Sequence, residues 1–223
     1  MSRTVLILRP QPGADRTAQR ARAMGLSPLV APLFTIRPLD WQAPVRRFDA
    51  ILLTSANAAR HAGGGLTSFG DLPCFAVGEA TAEAARSAGL NQVRTGPGNA
   101  ADALAMMAVE GISSALHLCG REHRLPPQDR IEIESIPVYA ADAVDRLPPD
   151  AVRAIERKAV ALLHSPRAAS LFAGLVGDRR QALAVAAISA AAAEAAGPGW
   201  AAMAVAAEPR DHALLEAAAK LCH

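Results

Sequence analysis

The sequence predicts an α/β fold of two similar lobes, each a parallel sheet flanked by helices, joined by a pair of extended linkers. Three observations predict it. The second half of the 223-residue chain repeats the first at an offset of 110 to 111 positions. Short apolar runs alternate with helical stretches from end to end, the pattern of strand–helix–strand units and parallel sheets. Those runs lack polar alternation, as strands do when both faces are covered.

The repeat is visible residue by residue. Ile51-Leu52-Leu53-Thr54-Ser55 lies over Ala161-Leu162-Leu163-His164-Ser165, and Ala76-Val77-Gly78-Glu79 over Ala187-Ile188-Ser189-Ala190. Asp102-Ala103-Leu104 lies over His212-Ala213-Leu214. Alanine matches are cheap in so alanine-rich a chain, so the Leu-Leu-x-Ser matches, Glu83 over Glu194 and the near-constant offset carry the weight. A period this long is a whole supersecondary block, well beyond the roughly 20–50 residues of a solenoid unit. Two similar lobes imply a cleft between them.

Val5-Leu6-Ile7-Leu8 opens the chain as a buried strand, followed by a helix over 14–24 that Gly25 stops. Residues 29–39 read as one long strand broken at Pro32, and 50–54 as the next, leading into a helix from Ala56. Gly63-Gly64-Gly65 reads as a loop. Strand 74–77, helix 80–88, strand 92–95, helix 101–109 and strand 115–119 continue the alternation. An extended stretch over 131–144 contains Pro137. Helix 151–157, strand 159–163, helix 167–175, strand 183–188, helix 190–196, strand 202–206 and helix 211–221 complete the chain. Two Pro-punctuated extended segments, 34–47 and 136–149, each precede a Leu-Leu-x-Ser strand and read as linkers. Lobe 1 is then discontinuous, 1–33 plus 150–223, and lobe 2 is 48–135. Each is large enough for its own core.

Hydrophobic residues make up 51% of the chain and charged residues 20%, a globular balance. The net charge of +2, with no basic run, argues against a nucleic-acid partner. Cys74, Cys119 and Cys222 stand far apart, without zinc or disulfide spacing, and read as buried small side chains. The six histidines show no ligand spacing, so no metal is expected. No apolar run reaches the roughly 20 residues of a membrane span, and the N-terminal apolar run is too short for a signal peptide. The expectation is a soluble, cytoplasmic monomer.

In open parallel sheets, ligands bind at the strand-to-helix turns along the carboxyl edge. Here those turns carry Arg9, Ser55 with Ala56, Gly78 with Thr81, Asn99, Gly120 with Arg121, Ser165 with Pro166, and Ser189. Each hydroxyl or amide alone is an ordinary helix cap. Several turns on one edge offer backbone N–H groups and helix dipoles suited to carboxylate or phosphate. Arg9, Arg60, Arg121, Arg124 and Arg167 fall on or near that edge and together suit a polyanion. Gly96-Pro97-Gly98-Asn99-Ala100-Ala101 has the letters of a dinucleotide fingerprint, but Pro97 and the missing downstream acid weaken that reading. His164 beside Ser165 is poorly placed as a base–nucleophile pair, because neighbouring strand residues point to opposite faces. Tyr139, the only tyrosine, is a packing aromatic or a phenol facing the cleft, there a hydrogen-bond donor or weak acid.

In their order, these pieces resemble the uroporphyrinogen-III synthase family. They are Leu53-Thr54-Ser55-Ala56-Asn57-Ala58, Ala76-Val77-Gly78-Glu79-Ala80-Thr81-Ala82, Gly98-Asn99-Ala100 with Leu104, and Cys119-Gly120-Arg121. Ser135-Ile136-Pro137-Val138-Tyr139, His164-Ser165-Pro166, and Glu208-Pro209 with Ala213-Leu214 complete the set. The resemblance implies a cofactor-free cyclising hydro-lyase of tetrapyrrole and heme biosynthesis. Its substrate would be hydroxymethylbilane, closed with inversion of ring D and loss of water to give uroporphyrinogen III. It further implies that Tyr139 assists hydroxide departure and that Ser55 and Thr81 line the cleft. The second repeat departs from the family pattern at Ser189-Ala190-Ala191-Ala192, where a hydroxyl usual at the last position is missing. The rival reading is a catalytically silent two-lobed binding protein for an anionic small molecule or tetrapyrrole.

Overall fold

The computed structural model describes residues 4–222, and the chain divides into two compact units. One comprises Met1–Thr35 with Asp142–His223, and the other Ile36–Ala141. Among the described residues, no helix is long and apolar enough to cross a membrane.

The chain begins with β1 (Thr4–Ile7), α1 (Gly13–Ala23) and β2 (Ser27–Val30), then β3 (Phe34–Pro38). The long strand expected over 29–39 is therefore two strands, split at Ala31-Pro32-Leu33. Proline lacks the N–H that a continuing ladder needs, so the break falls there. Next come β4 (Ala50–Leu53), α2 (Ala56–His61), a 3-10 helix over Gly63–Phe69, and β5 (Pro73–Ala76). The glycine triplet thus opens a short helix where a plain loop was expected. Trp41 explains it: its indole N–H donates to the Ala62 carbonyl at 2.7 Å, and a Cβ on Gly65 would sit 2.7 Å from its ring. Helix α3 (Glu79–Ser87), β6 (Gln92–Thr95), α4 (Ala100–Val109), β7 (Ser114–Gly120) and β8 (Glu132–Ala143) follow. The last run is α5 (Pro149–Glu156), β9 (Val160–Leu163), α6 (Pro166–Val176), a 3-10 helix Gly177–Ala182, β10 (Ala184–Ala187), α7 (Ala190–Ala196), β11 (Ala202–Val205) and α8 (Asp211–Leu221).

The discontinuous unit holds a five-stranded sheet in the order β11-β10-β9-β1-β2, parallel throughout. On one face, Val5, Ile7, Val160, Leu162 and Ala186 pack with Ala14, Ala18, Leu214 and Leu215 of α1 and α8. Leu6, Ala161, Leu163 and Val185, the alternate strand residues, are buried too. Helices α5, α6 and α7 contact these same strands, so both faces are covered.

The continuous unit has the order β3-β8-β7-β4-β5-β6. Its strands from β8 to β6 are parallel. The Leu39 N–H donates to the Val138 carbonyl at 2.9 Å, and the Val144 N–H to the Leu33 carbonyl at 3.0 Å, so β3 runs against β8. Ile51, Leu53, Cys74, Leu116 and Leu118 meet Ala58, Ala59, Ala84 and Ala85 of α2 and α3 on one face. Leu52, Phe75 and Ala115 meet Ala103, Leu104 and Met107 of α4 on the other. The sequence repeat is thus a fold repeat: β4-β5-β6 with α2, α3 and α4 matches β9-β10-β11 with α6, α7 and α8.

Candidate functional site

The six-stranded unit carries a concavity of about 330 Å3 at the carboxyl edge of its sheet. Four turns meet there: Thr54 and Ser55 after β4, Val77 after β5, Gly98, Asn99 and Ala100 after β6, and Gly120 with Glu122, His123 and Arg124 after β7. Tyr139 of β8 closes it. Parallel strands necessarily send these turns to one edge, which is why residues about 20 positions apart in sequence assemble here. Gly98 has φ +136, a conformation side chains resist, and its Cα lies 3.7 Å from where a Cβ on Gly78 would stand. The two glycine turns therefore pack on each other.

Two of these turns cap the helices they open. The Ser55 hydroxyl accepts from the Asn57 N–H at 3.2 Å, capping α2. Asn99 caps α4, its side-chain oxygen accepting from the Asp102 N–H at 2.9 Å while its amide donates to the Asp102 carboxylate at 2.7 Å. These caps satisfy only part of each helix N-terminus, leaving other N–H groups for solvent or ligand.

Tyr139 is set by a β-bulge. The β7–β8 register runs Cys119 opposite Pro137 and then Gly120 opposite Tyr139, so Val138 is the extra residue. The Arg121 N–H donates to the Tyr139 carbonyl at 2.9 Å and restores the ladder. A Cβ on Gly120 would lie 2.8 Å from Tyr139 Cζ and 2.9 Å from its hydroxyl oxygen. Glycine at 120 is therefore what lets the phenol lie flat over the strand end. His61 flanks the ring at 6.3 Å between centroids.

A hydrogen-bonded string leads inward from Thr54 at the concavity. His117 is fully buried, with Nε2 2.9 Å from the Thr54 hydroxyl and Nδ1 3.0 Å from the Ser135 hydroxyl. Burial pushes its pKa down to about 4, with nearby His123 adding to the effect, so the imidazole is neutral. Burial likewise raises the Cys119 thiol to about 12. The ligand atoms of His117, Cys119 and His123 all lie within 4.8 Å of one another. A strand's two-residue period aligns His117 with Cys119, and the turn after β7 returns His123 to them, a juxtaposition that the spacing of the histidines in sequence does not show.

In the five-stranded unit, the Ser165 hydroxyl accepts from the Ala168 N–H at 3.2 Å to cap α6, with Pro166 in its first turn. Ser189 caps α7 in the same way, accepting from the Ala192 N–H at 3.3 Å. Arg9 is committed inward, within 3.4 Å of Asp211. Asp211 also accepts from the Thr17 hydroxyl at 2.8 Å and from Arg20 at 2.9 Å, and lies 3.0 Å from His164 Nε2. Burial opposes ionisation of this carboxyl, yet the bonds from His164, Arg20 and Thr17 hold it well below the usual carboxylate range. Burial also lowers the pKa of Arg9 and of His164.

Of the sequence-predicted residues, Ser55, Asn99, Gly120 and Tyr139 line one concavity. Gly78 touches its rim through Gly98, and Ala56 and exposed Arg121 directly follow lining residues. Arg9, Ser165, Pro166 and Ser189 lie at the carboxyl edge of the other sheet. Thr81 needs correction as a lining residue: it is 6% exposed, on the inward face of α3 with Ala82, Ala84 and Ala85. Its counterpart Ala192 is fully buried, so the hydroxyl missing there concerns an inward position. Thr54 and His123 at the concavity, and His117 below it, were not singled out as site residues, whereas Arg124, one of the arginines expected near the edge, does line the concavity. Thr54 had one legible signal, its place beside Ser55 at a strand end.

The comparisons with known proteins agree with this architecture. The family model for uroporphyrinogen-III synthase HemD matches residues 15–216. Among curated proteins, none is a significant match to this chain. Among solved structures, uroporphyrinogen-III synthetase from Helicobacter pylori is similar at TM-score 0.66 and 17% identity, covering 99% of this chain and 100% of that one. A mutant uroporphyrinogen III synthase from the extremely thermophilic bacterium Thermus thermophilus is similar at TM-score 0.52 and 14% identity, with 96% of each chain covered. At such identities these likenesses speak for the fold, whereas the family match spans nearly the whole sequence. The chain belongs to the uroporphyrinogen-III synthase family, the cyclising lyases of tetrapyrrole and heme biosynthesis.

Proposed function

We propose that the Tyr139 concavity is where this protein converts hydroxymethylbilane to uroporphyrinogen III, with Tyr139 as the group that assists loss of hydroxide. The observation that carries the reading is the phenol held over Gly120 at the meeting point of four strand-to-helix turns. A pyrrole is electron-rich, and its nitrogen lone pair can expel the terminal hydroxyl to leave an azafulvene. A phenol hydroxyl can donate a hydrogen bond to the departing oxygen. The remaining task is to fold the linear chain so that ring D closes in the inverted sense, through a spiro intermediate. That asks for positioning, not for a cofactor.

The substrate carries acetate and propionate arms on every ring. Backbone N–H groups near Ser55, Ala56, Gly78 and Asn99, together with the Gly120-Arg121 turn, suit such carboxylates. Arg124 adds a donor at the concavity. Ser165, Pro166 and Ser189 offer the equivalent turns in the five-stranded unit, whereas Arg9 is drawn toward Asp211. The reading takes a cytoplasmic monomer with no nucleic-acid partner. Incubation with freshly prepared hydroxymethylbilane, followed by separation of the product isomers, tests the activity. The type III isomer should form faster than spontaneous closure forms type I; type I alone would overturn the reading and favour a silent binding protein.

A further inference from the structure

We propose that His117, Cys119 and His123 form a binding site for a borderline-soft divalent cation of the Zn2+ type, adjoining the Tyr139 concavity. Two imidazoles and a thiolate are the donor set such ions prefer over Mg2+ or Ca2+, which take oxygen. The fold presents these donors from a rigid element. His117 and Cys119 share one face of β7, an interior strand paired on both sides. Exposed His123 supplies the mobile third donor from the turn that follows.

The spacing fits with a small closure. A tetrahedral ion with Zn–N about 2.0–2.1 Å and Zn–S about 2.3 Å holds two nitrogens and a sulfur roughly 3.3–3.6 Å apart. The three ligand atoms already lie within 4.8 Å of one another, so a closure of about 1 Å suffices, and the exposed His123 side chain can supply most of it. The supporting hydrogen bonds are in place. His123 Nδ1 lies 3.1 Å from the Gly120 carbonyl, which fixes the tautomer whose Nε2 carries the free lone pair. His117 has a hydroxyl at each nitrogen, Thr54 on one and Ser135 on the other. Whichever nitrogen takes the ion, the other keeps an orienting partner. On binding, the Cys119 thiol passes its proton to solvent and the sulfur lone pair forms the metal bond. The fourth position is left to water.

Filling the site takes His117 away from Thr54 or Ser135 and ties the turn after Gly120 in place beside Tyr139. If the function proposed above holds, bound Zn2+ slows ring closure; the binding itself does not depend on that reading. The test uses the full chain, reduced and stripped of metal. Zn2+ is titrated by calorimetry, and Co2+ is followed through its thiolate-to-metal absorption. One equivalent should bind, with the thiolate band present. Cys119→Ala should abolish the band, and His123→Ala should weaken Zn2+ binding by at least about tenfold, the lower bound for losing even an outer partner. Because His123 is exposed, its variant stays folded, which circular dichroism checks. His212→Ala is the control, since exposed His212 and Glu216, 3.1 Å apart, are a surface alternative. Absence of stoichiometric binding would overturn the site, as would binding that survives both site variants or is lost with His212→Ala.

Discussion

The contact between Gly120 and Tyr139 concentrates the account in two side chains, one of them a hydrogen atom. A methyl at 120 would enter within 2.9 Å of the phenol oxygen, so Gly120→Ala must move the ring or the strand end. Overpacking of this kind costs about 1–3 kcal/mol. The variant should remain folded in urea titrations yet form type III product more slowly than wild type; unchanged kinetics would mean the phenol's position is immaterial. In the other unit, Asp211 gathers Thr17, Arg20, Arg9 and His164. Losing one partner of a buried pair costs about 3–5 kcal/mol, and the half-exposed Arg20 discounts that to roughly 2 kcal/mol for Asp211→Ala, read from urea denaturation. The sequence made the turn residues Ser55 and Asn99 legible because each sits at a strand-to-helix boundary, and Tyr139 because it is the only tyrosine in the chain. It could not show Asp211 with Thr17, 194 positions away, or His117 with Thr54, 63 away, because pairing across strands leaves no local period. Thr81 was misjudged for the same reason: its turn was recognisable, but which side of α3 faces inward depends on packing.

At the scale of elements, β7 and its flanking turns set the site. Asn99 opens α4 at the concavity, and Asn99→Ala should cost about 1 kcal/mol as a lost N-cap, measurable as a shift in the urea midpoint. His117 gives β7 a pH signature. Its pKa is lowered by burial from 6.5 to about 4, so above 6.5 neither state is charged and its contribution is fully present. As pH falls from 6.5 toward 4 the unfolded chain takes up a proton that the folded chain refuses, and stability is lost, by roughly 3 kcal/mol at most. With chelator present, stability measured across that window should fall less steeply in His117→Gln than in wild type. An equal slope would remove the neutral buried imidazole from the account. Element boundaries were legible where glycine, proline or apolar runs punctuate the chain. They were lost at Gly63-Gly64-Gly65, where Trp41, over 20 residues upstream, turns an apparent loop into a 3-10 helix.

For the whole molecule, the repeat is the organising fact. Strands β4, β5 and β6 recur as β9, β10 and β11, in the same order and direction. Such a repeat survives in the sequence because each copy must bury strands on both faces, and that demand writes long apolar runs. The copies diverge at the turns that open their helices. Gly78 caps α3 without a side chain, whereas Ser189 caps α7 with one. The concavity with the phenol belongs to the six-stranded unit, so that copy carries the proposed chemistry. The most direct test of that claim is the single-turnover rate of type III uroporphyrinogen formation by Tyr139→Phe, with its fold verified by denaturation. Removing the hydroxyl should lower the rate by about 10²-fold or more, the scale of a positioned proton donor, while leaving stability nearly unchanged. A folded variant that forms type III product at the wild-type rate would contradict it.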